Sequence, residues 1–277
     1  MKNYLQRFEI QKPNLEKRKL SYSSLKQFAR SPIHYIQYLN QKFEPSDSMV
    51  LGSLVDCLLL TPDDFEKTYL VIPKIDRRSK AGKEAFAEAQ EKASEQNLTI
   101  VSEVQFNTAQ IMVEQVWNNQ EAATILNATT ETQKRIEWNH KGLPFIGYLD
   151  GAGQFEQGKK FIFDLKTTSD ASLDTYTKQL INLKYDLQIA MYYLAYQRQN
   201  FEQPLAYHIV VENKAPYSCN VFRLSDTVLE AGKRVYDNLC DKFKECLEEK
   251  SWGAGYEYFQ EPNQILDLPD WYINKLI

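Results

Sequence analysis

The chain has 277 residues, of which 25% are charged and 43% hydrophobic, with a formal net charge of -4. These are the proportions of a soluble globular protein with ample length for a core. The acidic balance argues against a protein that coats nucleic acid indiscriminately, because phosphate contact needs cations, although a local excess of them can still supply it.

Met1-Lys2-Asn3-Tyr4-Leu5-Gln6-Arg7 lacks the apolar stretch of a signal peptide, and no apolar run approaches the roughly 18 residues of a membrane span, so a cytoplasmic location is expected. With no long Pro/Gly/Ser linker and no internal repeat, a single domain over 1–277 is expected, mostly helical over 1–125 with its core over 126–277. The helical portion runs from Ser21 to Glu121. Within it Asp56 stands among Val55, Cys57, Leu58, Leu59 and Leu60, where an unpaired carboxylate would be expensive unless it had a partner. Farther on, Lys74, Arg77, Arg78, Lys80 and Lys83 face only Asp76 in a glycine-containing stretch that reads as a mobile loop, and Lys17, Arg18 and Lys19 form a second basic cluster.

The core begins with the run Phe145-Ile146-Gly147-Tyr148-Leu149, which ends in Asp150. Gly151, Gly153, Gly158, Lys159 and Lys160 read as the turn of an antiparallel hairpin, and Phe161-Ile162-Phe163 returns into Asp164-Leu165-Lys166. On a strand, residues i and i+2 share a face, so Asp164 and Lys166 point the same way beside Asp150, at one edge of a sheet. Carboxylates converging there suit a hard, oxygen-loving ion such as Mg2+ or Mn2+, and no His and Cys cluster competes for zinc. Asp170 or Ser172 can cap a helix through Leu173, Tyr176, Leu180 and Ile181. The next helix, Tyr185 to Tyr196, carries Gln188 and Tyr192 four residues apart and therefore on one face. Strands at 145–150, 161–166, 206–212 and 218–223 and a final helix over 226–250 complete an α/β fold with a mixed central sheet flanked by helices. Cys57, Cys219, Cys240 and Cys246 are scattered, and Cys246 falls in register with Val235, Leu239 and Phe243 as a core residue.

An acid-x-lysine tripeptide is weak evidence alone, since it recurs at Glu212-Asn213-Lys214 and Glu248-Glu249-Lys250. Only Asp164 has a partner acid at hairpin distance and a polar pair on a following helix. Asp150, Asp164, Lys166, Gln188 and Tyr192, in that order, resemble the PD-(D/E)XK nuclease superfamily, and within it the exodeoxyribonuclease VIII (RecE-type) group of phage and prophage exonucleases. Ser21-Tyr22-Ser23-Ser24-Leu25-Lys26-Gln27-Phe28, Gly52-Ser53-Leu54-Val55-Asp56, the 76–83 segment, Val211-Glu212-Asn213-Lys214 and Trp252-Gly253-Ala254-Gly255-Tyr256 extend the resemblance over nearly the whole chain.

The resemblance implies a restriction-endonuclease-like core and a Mg2+- or Mn2+-dependent DNA exonuclease working 5′ to 3′ on duplex ends. Asp150, Asp164 and the backbone carbonyl of Leu165 are the expected metal ligands. Asp56 joins them where such nucleases usually carry a His. Lys166 is expected to hold the attacking water, with Gln188 and Tyr192 buttressing the site and Arg77, Arg78, Lys80 and Lys83 contacting DNA. A homo-oligomer and a single-strand annealing recombinase as partner follow from the same resemblance. Some relatives place the first Cys of an iron-sulfur cluster before a Pro in the early helical region. Ser31-Pro32 stands there in this chain, so no cluster is expected. The alternatives are an endonuclease or single-strand-specific RecB-like nuclease, and a catalytically silent DNA-binding or assembly protein on the same fold.

Overall fold

Strand β5 (Lys160–Thr168) is buried without a break from Phe161 to Leu165, the pattern of a strand covered on both faces. The computed structural model of the chain describes residues 18–261 and 264–267, apart from Phe43, Lys74 and Arg77, and places this strand at the centre of a five-stranded sheet. The order is β3 (Thr129–His140), β4 (Leu143–Gln154), β5, β6 (Leu205–Glu212) and β7 (Cys219–Arg223). Pairing is antiparallel except between β5 and β6, so the sheet is mixed, as the sequence predicts. The parallel pair needs a crossover, which α8 (Leu173–Asn182) and α9 (Tyr185–Asn200) supply.

Alternation along β5 and β6 divides the side chains between two layers. Phe161, Phe163, Leu165, Ile209 and Val211 join Leu54 and Val55 of α3 (Asp47–Leu60), Met112 and Val116 of α6 (Glu103–Asn118) and Ile125 of α7 (Gln120–Asn127) in the main core. Each such side chain contributes on the order of 1.5–3 kcal/mol by leaving water. On the other face Val210 packs with Tyr176 of α8, whose ring stacks on Phe222 of β7 at 5.1 Å. Asp164 and Lys166 take the intervening positions of β5 and meet α9 instead.

Several expectations need correction. β4 does not end at Asp150 but continues to Gln154, because Gly151 and Gly153 are strand residues whose missing side chains make room for the rings of Phe163 and Phe161 and the carbonyl of Ala128. β3 was not expected as a strand of its own; its charged, alternating sequence Thr129-Thr130-Glu131-Thr132-Gln133-Lys134 hides the pattern. The acids therefore meet on neighbouring interior strands rather than at a sheet edge. In the helical portion, β1 (Tyr69–Ile72) and β2 (Thr99–Ser102) form a short parallel pair. Part of the expected basic loop is the first turn of α5 (Lys80–Gln96), since the Ser79 hydroxyl accepts from the Gly82 N–H at 3.0 Å and caps that helix.

The sheet and these helices lie in a unit spanning Lys42–Asn238, which also takes in the first half of α10 (Asp226–Glu249). A second unit draws on Met1–Gln41 and Leu239–Ile277. There α1 (Tyr22–Phe28) starts at a reciprocal Ser21–Ser24 capping box and α2 (Pro32–Asn40) at Ser31. Its core is aromatic: Phe28 lies 4.9 Å from Phe243, and Trp252 lies 5.8 Å from Tyr35, ring to ring. Cys246 is buried in this unit, as its helical register predicts.

Candidate active site

Backbone pairing between β4 and β5 runs from Gln154 opposite Lys160 to Gly151 opposite Phe163 and stops there. One residue on, the Asp150 carboxylate replaces the missing backbone acceptor: its Oδ2 takes the Leu165 N–H at 2.7 Å. That bond brings Asp150 to the residue lying between Asp164 and Lys166. Asp164 is only 2% exposed, and its carboxylate is ion-paired with the Lys166 ammonium.

Helix α9 locks this pair. The Gln188 amide donates from Nε2 to Asp164 Oδ1 at 2.9 Å, while its Oε1 accepts from Lys166 Nζ at 3.0 Å, so both ends of one amide are used and its orientation is fixed. Tyr192 follows one turn later, 7% exposed, with its ring against Gly147 of β4. A Cβ at that glycine would fall 2.5 Å from Tyr192 Cε1, so Gly147 is what lets the aromatic ring approach the strand. Burial pushes the Tyr192 phenol up, and Asp164 and Asp150 push it further.

The electrostatics are unbalanced. Burial, then the negative charges of Asp164 and Asp56, raise the Asp150 carboxyl well above the usual range. Burial and Asp164 lift Asp56, which arrives from α3, to about 7. Burial alone would pull the Lys166 ammonium down, but Asp164, Tyr185 and Asp150 together outweigh it and the net shift is upward. Asp164 Oδ2 is buried and touches Lys166 as an ion-pair partner, yet it accepts no well-aligned hydrogen bond.

This donor set suits a hard divalent cation: it offers carboxylate oxygens, one of them short of a hydrogen bond, whose mutual repulsion a positive ion would relieve. Among the described residues, no three His, Cys, Asp or Glu side chains are already spaced to close on one ion. Asp150 and Asp164 are gathered about Leu165, whose observed contribution is its N–H, and Asp56 stands within electrostatic reach of both.

The expected DNA-contacting residues stand apart from this cluster. Arg77 lies outside the described residues. Arg78, Lys80 and Lys83 are exposed, and among the described residues none of them hydrogen-bonds or ion-pairs with the cluster. The second acid-x-lysine is accounted for structurally: Glu212 Oε1 accepts the Ala171 N–H at 3.0 Å and ties the loop after β5 to β6.

Two residues of the site escaped sequence reasoning. Tyr185 holds its ring centroid 4.4 Å from Lys166 Nζ, a cation–π contact. It stands one helical turn before Gln188, a spacing from which it could have been found. His208 is the β6 partner of Asp164 in the parallel ladder and is fully buried, with Nδ1 2.8 Å from the Tyr176 hydroxyl. Burial and the Lys166 charge hold its pKa well below the usual value. Nothing local in Tyr207-His208-Ile209 marks it.

No curated protein matches the chain. Among solved structures, the "Putative exonuclease" of Eubacterium rectale aligns with a TM-score of 0.58 at 16% sequence identity, covering 99% of this chain and 96% of that one, so the two share a fold. Another, SSO0001, aligns at a TM-score of 0.29 and 16% identity over 69% of this chain and 85% of that one, too weakly to bear on the argument. The pattern that resembles the PD-(D/E)XK superfamily is matched by a family model over residues 21–260, and the chain belongs to that family, the PDDEXK-like domain of unknown function (DUF3799).

Proposed function

We propose that this protein is a metal-dependent nuclease that hydrolyses DNA phosphodiester bonds, and that it acts as an exonuclease running 5′ to 3′ from duplex ends to leave 3′ single strands. The observation that carries the reading is the contact set Asp150–Leu165, Asp164–Lys166 and Gln188 bridging the last two. Membership of a PDDEXK-like family supports the chemistry. End dependence and polarity rest on the sequence resemblance to RecE-type exonucleases, as do a homo-oligomeric state and service to an annealing recombinase.

Asp150 and Asp164 would hold a Mg2+ or Mn2+ ion, with the Leu165 carbonyl and Asp56 completing its surroundings. Such an ion supplies Lewis-acid charge at the phosphate and lowers the pKa of a bound water. The chain's own residues do the rest. Lys166, braced by Gln188 and Tyr185, presents a positive charge and N–H donors to the attacking water and to the charge that builds on the phosphate oxygens. In the metal-free fold its carboxylate neighbours favour the ammonium form, while a bound cation would oppose them, so its first part is orientation and electrostatic stabilisation. Gln188 holds Asp164 through its amide N–H, and Tyr192, one turn on, packs the same helix against Gly147 of β4.

The test is digestion of linear duplex DNA labelled separately at its 5′ and 3′ ends, with Mg2+ or with chelator, by wild type, Asp164→Ala and Lys166→Ala. Metal-dependent release of the 5′ label first, lost in both variants, is expected. Equal digestion by all three proteins would refute the assignment, and cutting of closed circular DNA would replace the exonuclease by an endonuclease.

A further inference from the structure

We infer that a groove at the C-terminal ends of β5 and β6, lined mostly by residues with hydroxyl, carboxamide or ammonium groups, is a binding site for the internal sugar–phosphate backbone of the strand being cut. The inference rests on the nuclease reading and adds to it a place and a set of residues.

The groove has a volume of about 540 Å³ and is lined by residues that include Ser48, Thr167, Ser169, Lys178, Asn182 and Asn213. Its position follows from the topology: Thr167 is the residue after Lys166 on β5, and Asn213 directly follows β6, with the Asn213 N–H bonded to the Thr168 carbonyl at 2.7 Å. In open α/β sheets this is the end at which ligands bind. Ser48 enters from the first turn of α3, and Lys178 and Asn182 from α8. Thr167 can sit against α3 because residue 52 is glycine; a Cβ there would come 3.3 Å from the threonine hydroxyl.

The chemistry of the lining selects the ligand. Hydroxyls, carboxamides and one ammonium offer donors, and no acidic side chain among the described residues lines the groove. Of the acids adjacent in sequence to the lining, Asp170 has its carboxylate occupied by the Ser172 N–H and by the hydroxyl of Thr175, itself a lining residue, each at 2.8 Å, and Glu212 accepts the Ala171 N–H at 3.0 Å. A second groove, of about 370 Å³ between α9 and α10, is by contrast lined by Asp226 and Glu230 and would repel phosphate. Donors without acids, next along the strand from Lys166, suit phosphodiester oxygens. With no aromatic side chain among the described residues of the lining to stack a base, the contact is expected to be indifferent to sequence.

The experiment uses the full chain silenced by Asp164→Asn and measures its binding, by fluorescence anisotropy, to labelled oligonucleotides with either a 5′ phosphate or a 5′ hydroxyl. Adding Ser48→Ala, Thr167→Val and Lys178→Gln together is expected to weaken binding at least tenfold to both. The log Kd against log salt slope should fall by about one, the share of one cation. Lys233→Gln in the acid-lined groove removes the same charge and should leave Kd unchanged, and matching melting temperatures confirm that every variant folds. Unchanged binding in the triple variant overturns the inference while leaving the nuclease reading intact. An effect confined to the 5′-phosphorylated oligonucleotide also overturns it, in favour of a terminal-phosphate site. Failure of the nuclease reading is seen separately, as undiminished cutting by Asp164→Ala.

Discussion

Lys166 and Gln188 are joined by a 3.0 Å hydrogen bond from the ammonium to the amide oxygen, and the same amide turns its nitrogen to Asp164. One neutral side chain thus serves both members of a buried ion pair. Replacing it leaves a charged donor and a charged acceptor short of a partner, at about 1–3 kcal/mol. If that loss falls on the transition state, Gln188→Ala lowers kcat by roughly 5- to 150-fold. Single-turnover digestion of a linear duplex measures it, with circular dichroism confirming the fold. A wild-type rate would show that the bridge is not needed for positioning.

The aromatic contact on Lys166 separates ring from hydroxyl. Tyr185→Phe retains the π face under the ammonium and is expected to cut within about twofold of wild type. Tyr185→Leu retains apolar bulk but loses the quadrupole, whose attraction for a desolvated cation is worth about 2 kcal/mol, so kcat should fall on the order of 30-fold with KM little changed. Equal rates in the two variants would reduce Tyr185 to packing.

These two positions also mark how far the sequence could be read. Asp150, Asp164, Lys166, Gln188 and Tyr192 follow from strand alternation and helical spacing, which are local, and the folded chain brings them together. The bounds of β4 were misread because Gly151 and Gly153, usual turn residues, are here demanded by Phe163 and Phe161 on the neighbouring strand, a contact no window of sequence contains. β3 was missed because its charges offer no apolar run. His208 becomes part of the site's surroundings only through parallel pairing across a crossover of two helices.

Removing or adding the metal should read out as stability. A cation bound by the folded carboxylates and not by the unfolded chain stabilises by RT ln(1 + [L]/Kd), about 2.7 kcal/mol at a hundredfold excess over Kd. Mg2+ or Mn2+ is therefore expected to raise the melting temperature of chelator-treated wild type by several degrees, and that of Asp150→Asn or Asp164→Asn much less. Equal shifts in all three would move the metal elsewhere.

Acid should destabilise the fold through His208. Its folded pKa is depressed by burial and by Lys166, so below the ordinary value of 6.5 the unfolded chain takes up a proton that the native imidazole does not. Stability is then complete above about pH 6.5 and declines as pH falls toward the folded pKa, with a slope approaching 1.4 kcal/mol per pH unit for this one group. Urea unfolding of wild type and His208→Gln from pH 7.5 to 5 isolates it, since the variant lacks that share of the slope. Parallel curves would mean that the histidine titrates alike in both states.

Gly147 tests whether the helix and sheet are fitted to each other at the site. A methyl group there would stand 2.5 Å from Tyr192 Cε1, and the ring is buried and wedged edge-on against Trp138, with centroids 6.4 Å apart, so it has little freedom to retreat. Gly147→Ala is thus an overpacking change, with an expected loss of about 1–3 kcal/mol in denaturant unfolding. If the ring yields by moving α9, which carries Gln188, the same substitution should slow cutting. Tyr192→Leu alone leaves a cavity and also destabilises. Combined, the smaller side chain accommodates the added methyl, and the double variant should be more stable than the sum of the single losses predicts, by an interaction of at least 0.5 kcal/mol. Simple additivity would mean that the strand relaxes away from the helix and that the close approach at Gly147 does not position α9.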